Sequence, residues 1–339
     1  MSDIYNIVVG IEGKELTDFE KDLFTHKNPY GVILFARNVD TKEQLKALTK
    51  SIHSINPDIN IFIDQEGGRV TRIKEPLFTR KLLAPKTFSD IFYKDKDAGL
   101  KAIYDNAYLI GHELKNEFGI NGVFAPVCDL YYDFADKVIG DRSLGSNPED
   151  VALMAKYWYN GILAGGCIPC VKHIPGHGRA MADSHLELPI VDTPLSELES
   201  TDFKVFTNLA DTGMAMTAHV IFTAIDDKNP ITTSKAGIEY IRNNIGFKHV
   251  IITDDLSMKA LQGSIAQNAE ASIKAGCDLL LHCNGKKDEM LEAYMFASPI
   301  NKGLEAKLHY INNSIEEINS NLTYDTALAE YLEIVNSYA

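Results

Sequence analysis

Short apolar segments alternate with amphipathic segments along this chain, and the alternation predicts its fold. Each apolar segment is a continuous run, as in strands that are buried on both faces of a parallel sheet. The amphipathic segments between them have the helical period of crossover connections. About eight such units predict a closed (β/α)₈ barrel, an α/β fold, rather than an open sheet. The predicted strands are Tyr5–Ile11, Gly31–Ala36, Ile59–Asp64, Gly122–Leu130, Cys167–His173, Met214–Val220, His249–Asp254 and Asp278–Cys283.

The helical segments follow the strands without a low-complexity linker, so we predict a single domain over residues 1–339. Residues 301–339 are predicted to form additional helices on the outside of the barrel, over Leu304–Asn319 and Thr326–Ser337. No G-x-G-x-x-G motif follows the first predicted strand, which disfavours a dinucleotide-binding fold. The helices predicted between the strands are Thr41–Ile55, Ala98–Phe118, Pro148–Ala164, Leu195–Ala210, Ser234–Asn244, Ile265–Ala275 and Asp288–Ala297.

Composition excludes several classes of partner. Hydrophobic residues make up 45% of the chain and charged residues 24%, as in globular proteins with an ample core. The net charge of −14 disfavours nucleic acid and anionic membranes, because both attract clusters of Lys and Arg. The apolar segments are too short for a secretory signal or a bilayer span, so we expect no membrane insertion. A monomer or a weak homodimer is expected.

The cysteines indicate the compartment. Cys128, Cys167, Cys170, Cys277 and Cys283 are odd in number and lie mostly in strand-like segments. We therefore expect buried reduced thiols and a cytoplasmic location. Cys167 and Cys170 have the CxxC spacing, but no second pair accompanies them and a strand starts there. A redox or zinc role is not favoured.

Polar residues mark the ends of the predicted strands. In barrels of this type the reacting groups lie at the carboxyl ends of the strands. A single Asp at such a position can simply cap the following helix. Polar groups at successive strand ends instead predict one shared pocket. These residues are Asp64, Asp129, Lys172 with His173, His219, Asp254 with Asp255, and His282 with Asn284.

Asp254 is the candidate nucleophile. It follows the apolar segment Val250–Thr253, so we expect a rigid backbone and a carboxylate that stands over the barrel axis. A fixed carboxylate there suits a group that forms a covalent ester or stabilises a cation. The alternative is that Asp254 caps the next helix and Asp255 is functional. Because neighbours on a strand point to opposite sides, we expect only one of them to face the pocket, and we favour Asp254.

Asp183 and His185 form the candidate proton-transfer pair. They stand two residues apart in the loop after the fifth strand, so the carboxylate can reach the imidazole. Such a contact fixes the tautomer of the ring and holds its proton near neutral pH. The alternative is a surface loop whose histidine is incidental. Gly176, Gly178 and Ala180 predict that this loop moves like a lid.

The same segment offers a metal site as an alternative. His173, His177, His185 and Asp183 carry metal-ligating groups. Their His-x3-His-x7-His spacing fits no zinc pattern, and a bent glycine-rich loop is a poor rigid cage. We therefore expect no metal.

Basic residues supply hydrogen-bond donors to the pocket. Arg72, Arg142, Lys172 and His173 suit sugar hydroxyls or a carboxylate. Lys172 and His173 are adjacent at a strand end, so we do not expect both side chains to point in the same direction.

Several motifs occur in a fixed order along the chain. They are IDQEGGRVTR, VFAPVCDL followed by IGDRSLG, KHIPGHG followed by ADSH, MTAHV, and ITDDLSM. The ordered set resembles the glycoside hydrolase family 3 β-N-acetylglucosaminidases. More narrowly, it resembles the single-domain cytoplasmic β-N-acetylhexosaminidases of bacterial cell-wall recycling. The resemblance runs from Tyr5 to Asn284. Ile174 stands where a Phe is usual and Thr253 where a Ser is common, which bears only on the fine shape of the pocket.

The resemblance implies a (β/α)₈ barrel and retaining hydrolysis of terminal β-linked N-acetylglucosamine. The implied substrates are N-acetylglucosaminyl-1,6-anhydro-N-acetylmuramyl peptides from peptidoglycan, and no cofactor or metal is implied. A metal-dependent barrel hydrolase or lyase and a catalytically silent sugar-binding protein are the alternatives. On matching positions the resemblance implies Asp254 as nucleophile, His185 as general acid/base, Asp183 as its partner, and Asp64, Arg72, Arg142, Lys172 and His173 as sugar-binding residues.

Overall fold

The strands close into a parallel barrel, which confirms the predicted fold. A computed structural model describes residues 3–318 and 321–338. Every predicted strand overlaps an observed strand, although most are shorter than predicted. The strands are β1 (Ile4–Gly10), β2 (Asn28–Leu34), β3 (Asn60–Ile63), β4 (Gln65–Gly67), β5 (Val70–Thr71), β6 (Gly122–Val123), β7 (Ile168–Pro169), β8 (Val171–Ile174), β9 (Ile190–Val191), β10 (Met214–Thr217), β11 (Ile221–Phe222), β12 (Val250–Ile252) and β13 (Leu280–His282).

Hydrogen bonding runs around the whole barrel. Six strands pair in the order β13, β1, β2, β3, β6, β7, and three more pair in the order β12, β10, β8. The two sheets join because β7 and β8 are successive parts of one strand and because Ile252 of β12 bridges to Leu279 beside β13. All of these pairings are parallel. The antiparallel pair β4–β5 and the parallel pair β9–β11 lie outside this ring.

The helices agree with the predicted segments at most positions. The segment predicted as one helix over Leu195–Ala210 forms two helices, and the end of the segment Ser234–Asn244 is a π-helical turn over Ile241–Ile245. Asn319, the predicted end of another helix, lies outside the described residues. The helices are α1 (Asp18–His26), α2 (Lys42–Ile55), α3 (Pro85–Phe92), α4 (Lys96–Phe118), α5 (Pro148–Ala164), α6 (Leu195–Ser200), α7 (Asp202–Asn208), α8 (Lys235–Tyr240), α9 (Ile265–Ala275), α10 (Lys287–Tyr294), α11 (Lys302–Glu317) and α12 (Tyr324–Tyr338).

Helices α1 and α3 were not predicted, although each begins with a recognisable sequence signal. The hydroxyl of Thr17 accepts a hydrogen bond from the amide of Glu20, and the Glu20 carboxylate accepts one from the amide of Thr17. This capping box satisfies two amides at the start of α1. Pro85 occupies the first turn of α3, where its missing amide hydrogen costs nothing.

Apolar side chains fill both faces of the barrel wall. Val8 of β1 and Ile252 of β12 belong to a cluster inside the barrel, whereas their neighbours Val9 and Ile251 belong to the layer between strands and helices. Alternate residues of a strand point to opposite faces, so a wall buried on both sides needs a continuous apolar run. This explains the pattern from which the fold was predicted.

Helix α11 covers the amino-terminal end of the barrel. Leu304, Leu308 and Ile311 lie on one face of the helix and join the cluster of side chains inside the barrel. A Cβ atom on Gly213, just before β10, would lie 2.5 Å from Cγ1 of Ile311, so the helix packs directly on the strand starts. The barrel is therefore closed at this end. Within the described residues, no helix combines the length and apolar character that crossing a membrane requires.

The ring of Phe62 fits between two glycines of neighbouring strands. A Cβ atom on Gly122 of β6 would lie 2.2 Å from Cδ1 of Phe62, and one on Gly31 of β2 would lie 2.7 Å from its Cε2. Phe62 stacks on Phe124, with ring centroids 4.9 Å apart. The glycines therefore make room for an aromatic pair in the barrel interior.

We expect Gly122→Ala to destabilise the protein. The new methyl group would push Phe62 from its place, and overpacking of this kind costs about 1–3 kcal/mol in the free energy of unfolding. Gly13→Ala is a matched control, because the nearest atom to its Cβ would be 4.0 Å away. Urea unfolding measures both variants. An unfolding free energy of the Gly122 variant equal to that of the control would contradict this packing account.

Candidate active site

A cavity of about 370 Å³ opens at the carboxyl ends of the strands. This volume lies within the range of small-molecule sites. Its apolar floor is formed by Ile33, Phe124, Met216 and Leu281, which point up from inside the barrel. The structure brings all of the predicted site residues to this cavity. They are Asp64, Arg72, Arg142, Lys172, His173, Asp183, His185 and Asp254.

Asp254 follows β12 and is held by its surroundings. Its Oδ1 accepts a hydrogen bond from the amide of Asp255 at 2.8 Å, and its Oδ2 lies 4.0 Å from Nε2 of His173. Burial alone would raise the pKa of Asp254, but His173 and His219 outweigh it and the net pKa lies below the usual value. The site therefore holds a fixed carboxylate anion at neutral pH.

The carboxylate of Asp255 is used in hydrogen bonds that hold the backbone together. Its Oδ1 accepts hydrogen bonds from the amides of Cys283 at 3.0 Å and Ser257 at 3.1 Å, and its Oδ2 accepts one from the Ser257 hydroxyl at 2.6 Å. These bonds tie the loop after β12 to the end of β13, which leaves Asp254 as the freer carboxylate. Both residues line the cavity, although the Asp255 carboxylate is bonded to Ser257 and Cys283. The strand ends at Ile252, and side-chain alternation does not extend beyond it.

The Asp183–His185 contact forms as the spacing predicts. Oδ1 of Asp183 lies 2.8 Å from Nδ1 of His185 and also accepts the His185 amide at 2.9 Å. Burial would raise the pKa of Asp183, but the hydrogen bonds and charge of His185 lower it below its usual value. The His185 side chain is 61% exposed. Because Nδ1 is engaged, Nε2 is the atom that can exchange a proton with a bound molecule.

A buried network of charges forms one side of the cavity. Nζ of Lys172 lies 2.9 Å from Oδ1 of Asp64 and 2.6 Å from Oε1 of Glu66. Arg72 bonds to the other oxygen of Asp64 at 3.0 Å, and Arg142 binds both oxygens of Glu66 at 2.8 and 2.9 Å. Burial favours the neutral acids, but the cations prevail and hold the pKa values of both carboxyls below their usual range. The network presents fixed donors and acceptors to a ligand.

Glu66, which was not among the predicted site residues, is fully buried at the centre of this network. Its signal was its position, two residues after Asp64 in a strand-like segment, which places the two carboxylates on one side. Gly67 and Gly68 follow with φ values of 101° and 56°, a left-handed backbone that favours glycine. This turn returns the chain so that Arg72 meets Asp64.

We expect Glu66→Ala to lower the free energy of unfolding by about 3–5 kcal/mol, because it leaves Arg142 buried without its paired carboxylate. Asp90→Ala is the control, since its ion pair with Lys86 is exposed and is worth less than about 1 kcal/mol. Urea unfolding of both variants provides the comparison. Equal losses in the two variants would count against a structural role for Glu66.

Lys172 and His173 both line the cavity, but their side chains contact different partners: Lys172 contacts Asp64 and Glu66, and His173 contacts Asp129. The pairing of β8 with β10 passes from Lys172 to Ile174, so His173 lies at a break in the ladder. Strict side-chain alternation does not hold across such a break, and both residues can therefore reach the cavity. Nδ1 of His173 bonds to Oδ2 of Asp129 at 2.7 Å, which fixes the ring.

Four of the polar strand ends do not reach the cavity. Asp129, His219 and His282 are fully buried behind its walls, and Asn284 bonds to Glu289. The predicted convergence of every strand end on one mouth is therefore wrong in this respect. Their contacts brace the lining residues instead: His219 Nε2 lies 3.0 Å from the carbonyl oxygen of Asp255.

The residues considered as metal ligands, His173, His177, His185 and Asp183, are not arranged as a metal site. Among residues 3–318 and 321–338, no three His, Cys, Asp or Glu side chains are arranged to hold a metal ion. His173 and His177 are instead bonded to Asp129 and Ser184. The five cysteines are all free and buried, as expected for reduced thiols.

Known proteins resemble this chain over most of its length. The sequence-family model of the glycosyl hydrolase family 3 N-terminal domain matches residues 7–320 of this chain. The chain belongs to glycosyl hydrolase family 3. A beta-hexosaminidase of Alkalilimnicola ehrlichii is 40% identical over 284 residues, which cover 82% of this chain and 80% of that protein. A beta-hexosaminidase of Neisseria meningitidis serogroup B is 39% identical over 332 residues, covering 95% and 90%.

Solved structures agree with the family assignment. NagZ from Neisseria gonorrhoeae, crystallised with N-trifluoroacetyl-D-glucosamine, has a TM-score of 0.86 and 33% identity, covering 98% of this chain and 99% of that chain. The predicted family, fold and class of enzyme are thereby confirmed. This family 3 protein is a glycoside hydrolase similar to β-hexosaminidases.

Proposed function

We propose that this family 3 enzyme is a retaining exo-β-N-acetylglucosaminidase. Its substrates would be terminal β-linked N-acetylglucosaminides, in particular the 1,6-anhydro muropeptides released from peptidoglycan, with hydrolysis in the cytoplasm. One observation carries the proposal: a fixed anionic carboxylate, Asp254, and an Asp183–His185 pair line one hexose-sized cavity. The names of the hexosaminidase relatives, and the glucosamine derivative bound to the similar NagZ, favour an N-acylated amino sugar.

In the first step, Asp254 attacks the anomeric carbon. The glycosidic C–O bond breaks, and His185 in its imidazolium form gives the Nε2 proton to the leaving oxygen. The Asp183 carboxylate orients the ring through Nδ1 and stabilises its charge. The products of this step are the free aglycone alcohol and a glycosyl ester of Asp254.

In the second step, neutral His185 takes a proton from water. The water oxygen attacks the anomeric carbon, and the bond to Asp254 breaks with restoration of the carboxylate. Two displacements at one carbon retain its configuration. A neutral base suits this step, because it adds no second negative charge beside the departing carboxylate.

The charged network is proposed to hold the sugar. Asp64, Lys172 and Arg72 offer acceptors and donors at fixed positions, and His173 lies between the network and Asp254. Binding needs little rearrangement because these groups are already paired and oriented. Hydrogen bonds from such groups to hydroxyls position the anomeric carbon over the nucleophile.

Trapping the covalent intermediate tests the nucleophile and the class of substrate together. The probe is a 5-fluoro analogue of N-acetylglucosaminyl fluoride, which keeps the 2-acetamido group and slows the second step. We expect one sugar per chain, located on Asp254 by peptide mass mapping. Absence of an adduct, with intact binding of N-acetylglucosamine, would instead support a silent sugar-binding protein. Activity lost on exhaustive chelation would support a metal-dependent hydrolase.

A further inference from the structure

Ser184 lies between the two members of the proton-transfer pair, yet its surroundings differ from theirs. It is the buried residue of the segment 181–188, in which the neighbouring positions are exposed or half-buried. Its hydroxyl lies 2.9 Å from Nε2 of His177. Its carbonyl oxygen accepts a hydrogen bond from the amide of Ala260, in the loop after β12, at 3.2 Å. Ser184 therefore attaches the segment to the barrel on two sides.

The ring of His177 supplies the donor of the first contact. The ring is buried, and its Nδ1 has no hydrogen-bond partner among the described residues. Burial and the nearby His173 lower the pKa of His177 to about 4, so the ring is neutral and carries one N–H. A proton on Nδ1 would be buried without an acceptor, whereas a proton on Nε2 meets the hydroxyl oxygen of Ser184. The favoured tautomer donates from Nε2.

His177 itself belongs to the rigid part of the barrel. Oδ1 of Asp129 accepts its amide at 2.7 Å, while Oδ2 of the same carboxylate holds the ring of His173 beside Asp254. A Cβ atom on the next residue, Gly178, would lie 2.1 Å from the carbonyl oxygen of Leu130. The predicted glycine hinge is thus tightly packed, and the exposed part of the loop begins only at Met181.

We propose that His177 and Ser184 are positioning residues for acid/base catalysis: the Nε2–H to hydroxyl contact fixes Ser184, and Ser184 fixes Asp183 and His185 on either side of it. Asp129 supplies the common anchor, because it holds His177 on one oxygen and the neighbour of the nucleophile on the other. The inference rests on the proposed function, since it needs His185 to be the proton donor. It adds two residues that line the cavity and to which that mechanism assigns neither a sugar contact nor a proton transfer.

Leaving-group dependence tests this role. Ser184→Ala and His177→Asn are assayed on aryl N-acetylglucosaminides with a good leaving group, 2,4-dinitrophenol, and a poor one, phenol. A misplaced acid hurts the poor leaving group most. We expect kcat/KM on the phenyl substrate to fall about tenfold more than on the dinitrophenyl substrate, the size of one lost hydrogen bond. Since both variants break the same contact, the double variant is expected to resemble the singles rather than multiply them.

A conservative variant separates positioning from packing. The amide nitrogen of Gln reaches the position of a histidine Nε2, so His177→Gln is expected to recover most of the ratio, whereas the shorter Asn is not. An equal loss on both substrates, or multiplicative effects in the double variant, would overturn the proposal. His185→Ala distinguishes a failure of the proposed function from a failure of the positioning role alone. If that variant shows no leaving-group dependence, the proposed function fails; if it does and Ser184→Ala does not, only the positioning role fails.

Discussion

Asp254→Ala is expected to lose turnover by about 10⁴-fold or more, on good and poor leaving groups alike, as when other covalent nucleophiles are removed. The reason is that the first displacement has no other group to form the ester. The measurement is kcat on an aryl N-acetylglucosaminide. The variant is also expected to take up no label from the 5-fluoro probe. Near-normal activity would exclude Asp254 as the nucleophile.

Asp255→Asn is the matched control for that result. The residue is adjacent and lines the same cavity, but its carboxylate is occupied by Ser257 and Cys283. We expect this variant to keep the ability to form the covalent adduct and to unfold at a lower urea concentration, since it weakens the tie between β12 and β13. If Asp255→Asn abolished the adduct while Asp254→Ala kept it, the two roles would be exchanged.

His185→Ala is expected to lower kcat/KM by about 10²–10⁴-fold on a phenyl glycoside, the usual worth of general acid catalysis, and by much less on a dinitrophenyl glycoside. A leaving group that departs as a stable anion needs no proton. The second step, hydrolysis of the glycosyl ester, still needs the neutral imidazole as a base. The ester is therefore expected to accumulate in His185→Ala. A burst of dinitrophenol followed by slow turnover measures this accumulation.

Stability serves as the control for His185→Ala. Its side chain is 61% exposed, and exposed replacements change the free energy of unfolding by less than about 0.5 kcal/mol. The kinetic loss should therefore occur in a protein with unchanged urea unfolding. Asp183→Asn keeps the shape of the pair without its charge and is expected to fall between the wild type and His185→Ala. A loss of equal size on both leaving groups would contradict the role of proton donor.

The barrel was predictable because its wall imposes a simple rule on the sequence. Both faces of each strand are buried, so Val250, Ile251 and Ile252 are all apolar and the run is visible without knowledge of its partners. The strand lengths were less predictable. The segment Gly122–Leu130 is apolar except for Asp129, yet its regular strand ends at Val123 and only an isolated bridge from Val127 to Lys172 follows, because Pro126 has no amide hydrogen with which to continue the ladder.

The lining of the cavity was predictable where a residue at a strand end itself faces the cavity, as with Asp64 and Asp254. It was not predictable where neighbours in space decide the role. Asp129 has the same local context as Asp254, but it is buried against His173 and His177 rather than facing the cavity. The importance of Glu66 depends on Arg142, which is far away in sequence. Such pairings are set by how loops return over the barrel, which no local pattern encodes.

The apolar floor closes the cavity at its lower end, so the cavity has a single opening. Phe124 and Met216 fill the barrel beneath the cavity and α11 covers the far side, so a ligand enters and leaves through one opening. In the proposed mechanism, the leaving fragment would therefore depart before water enters, and the bound monosaccharide would leave last.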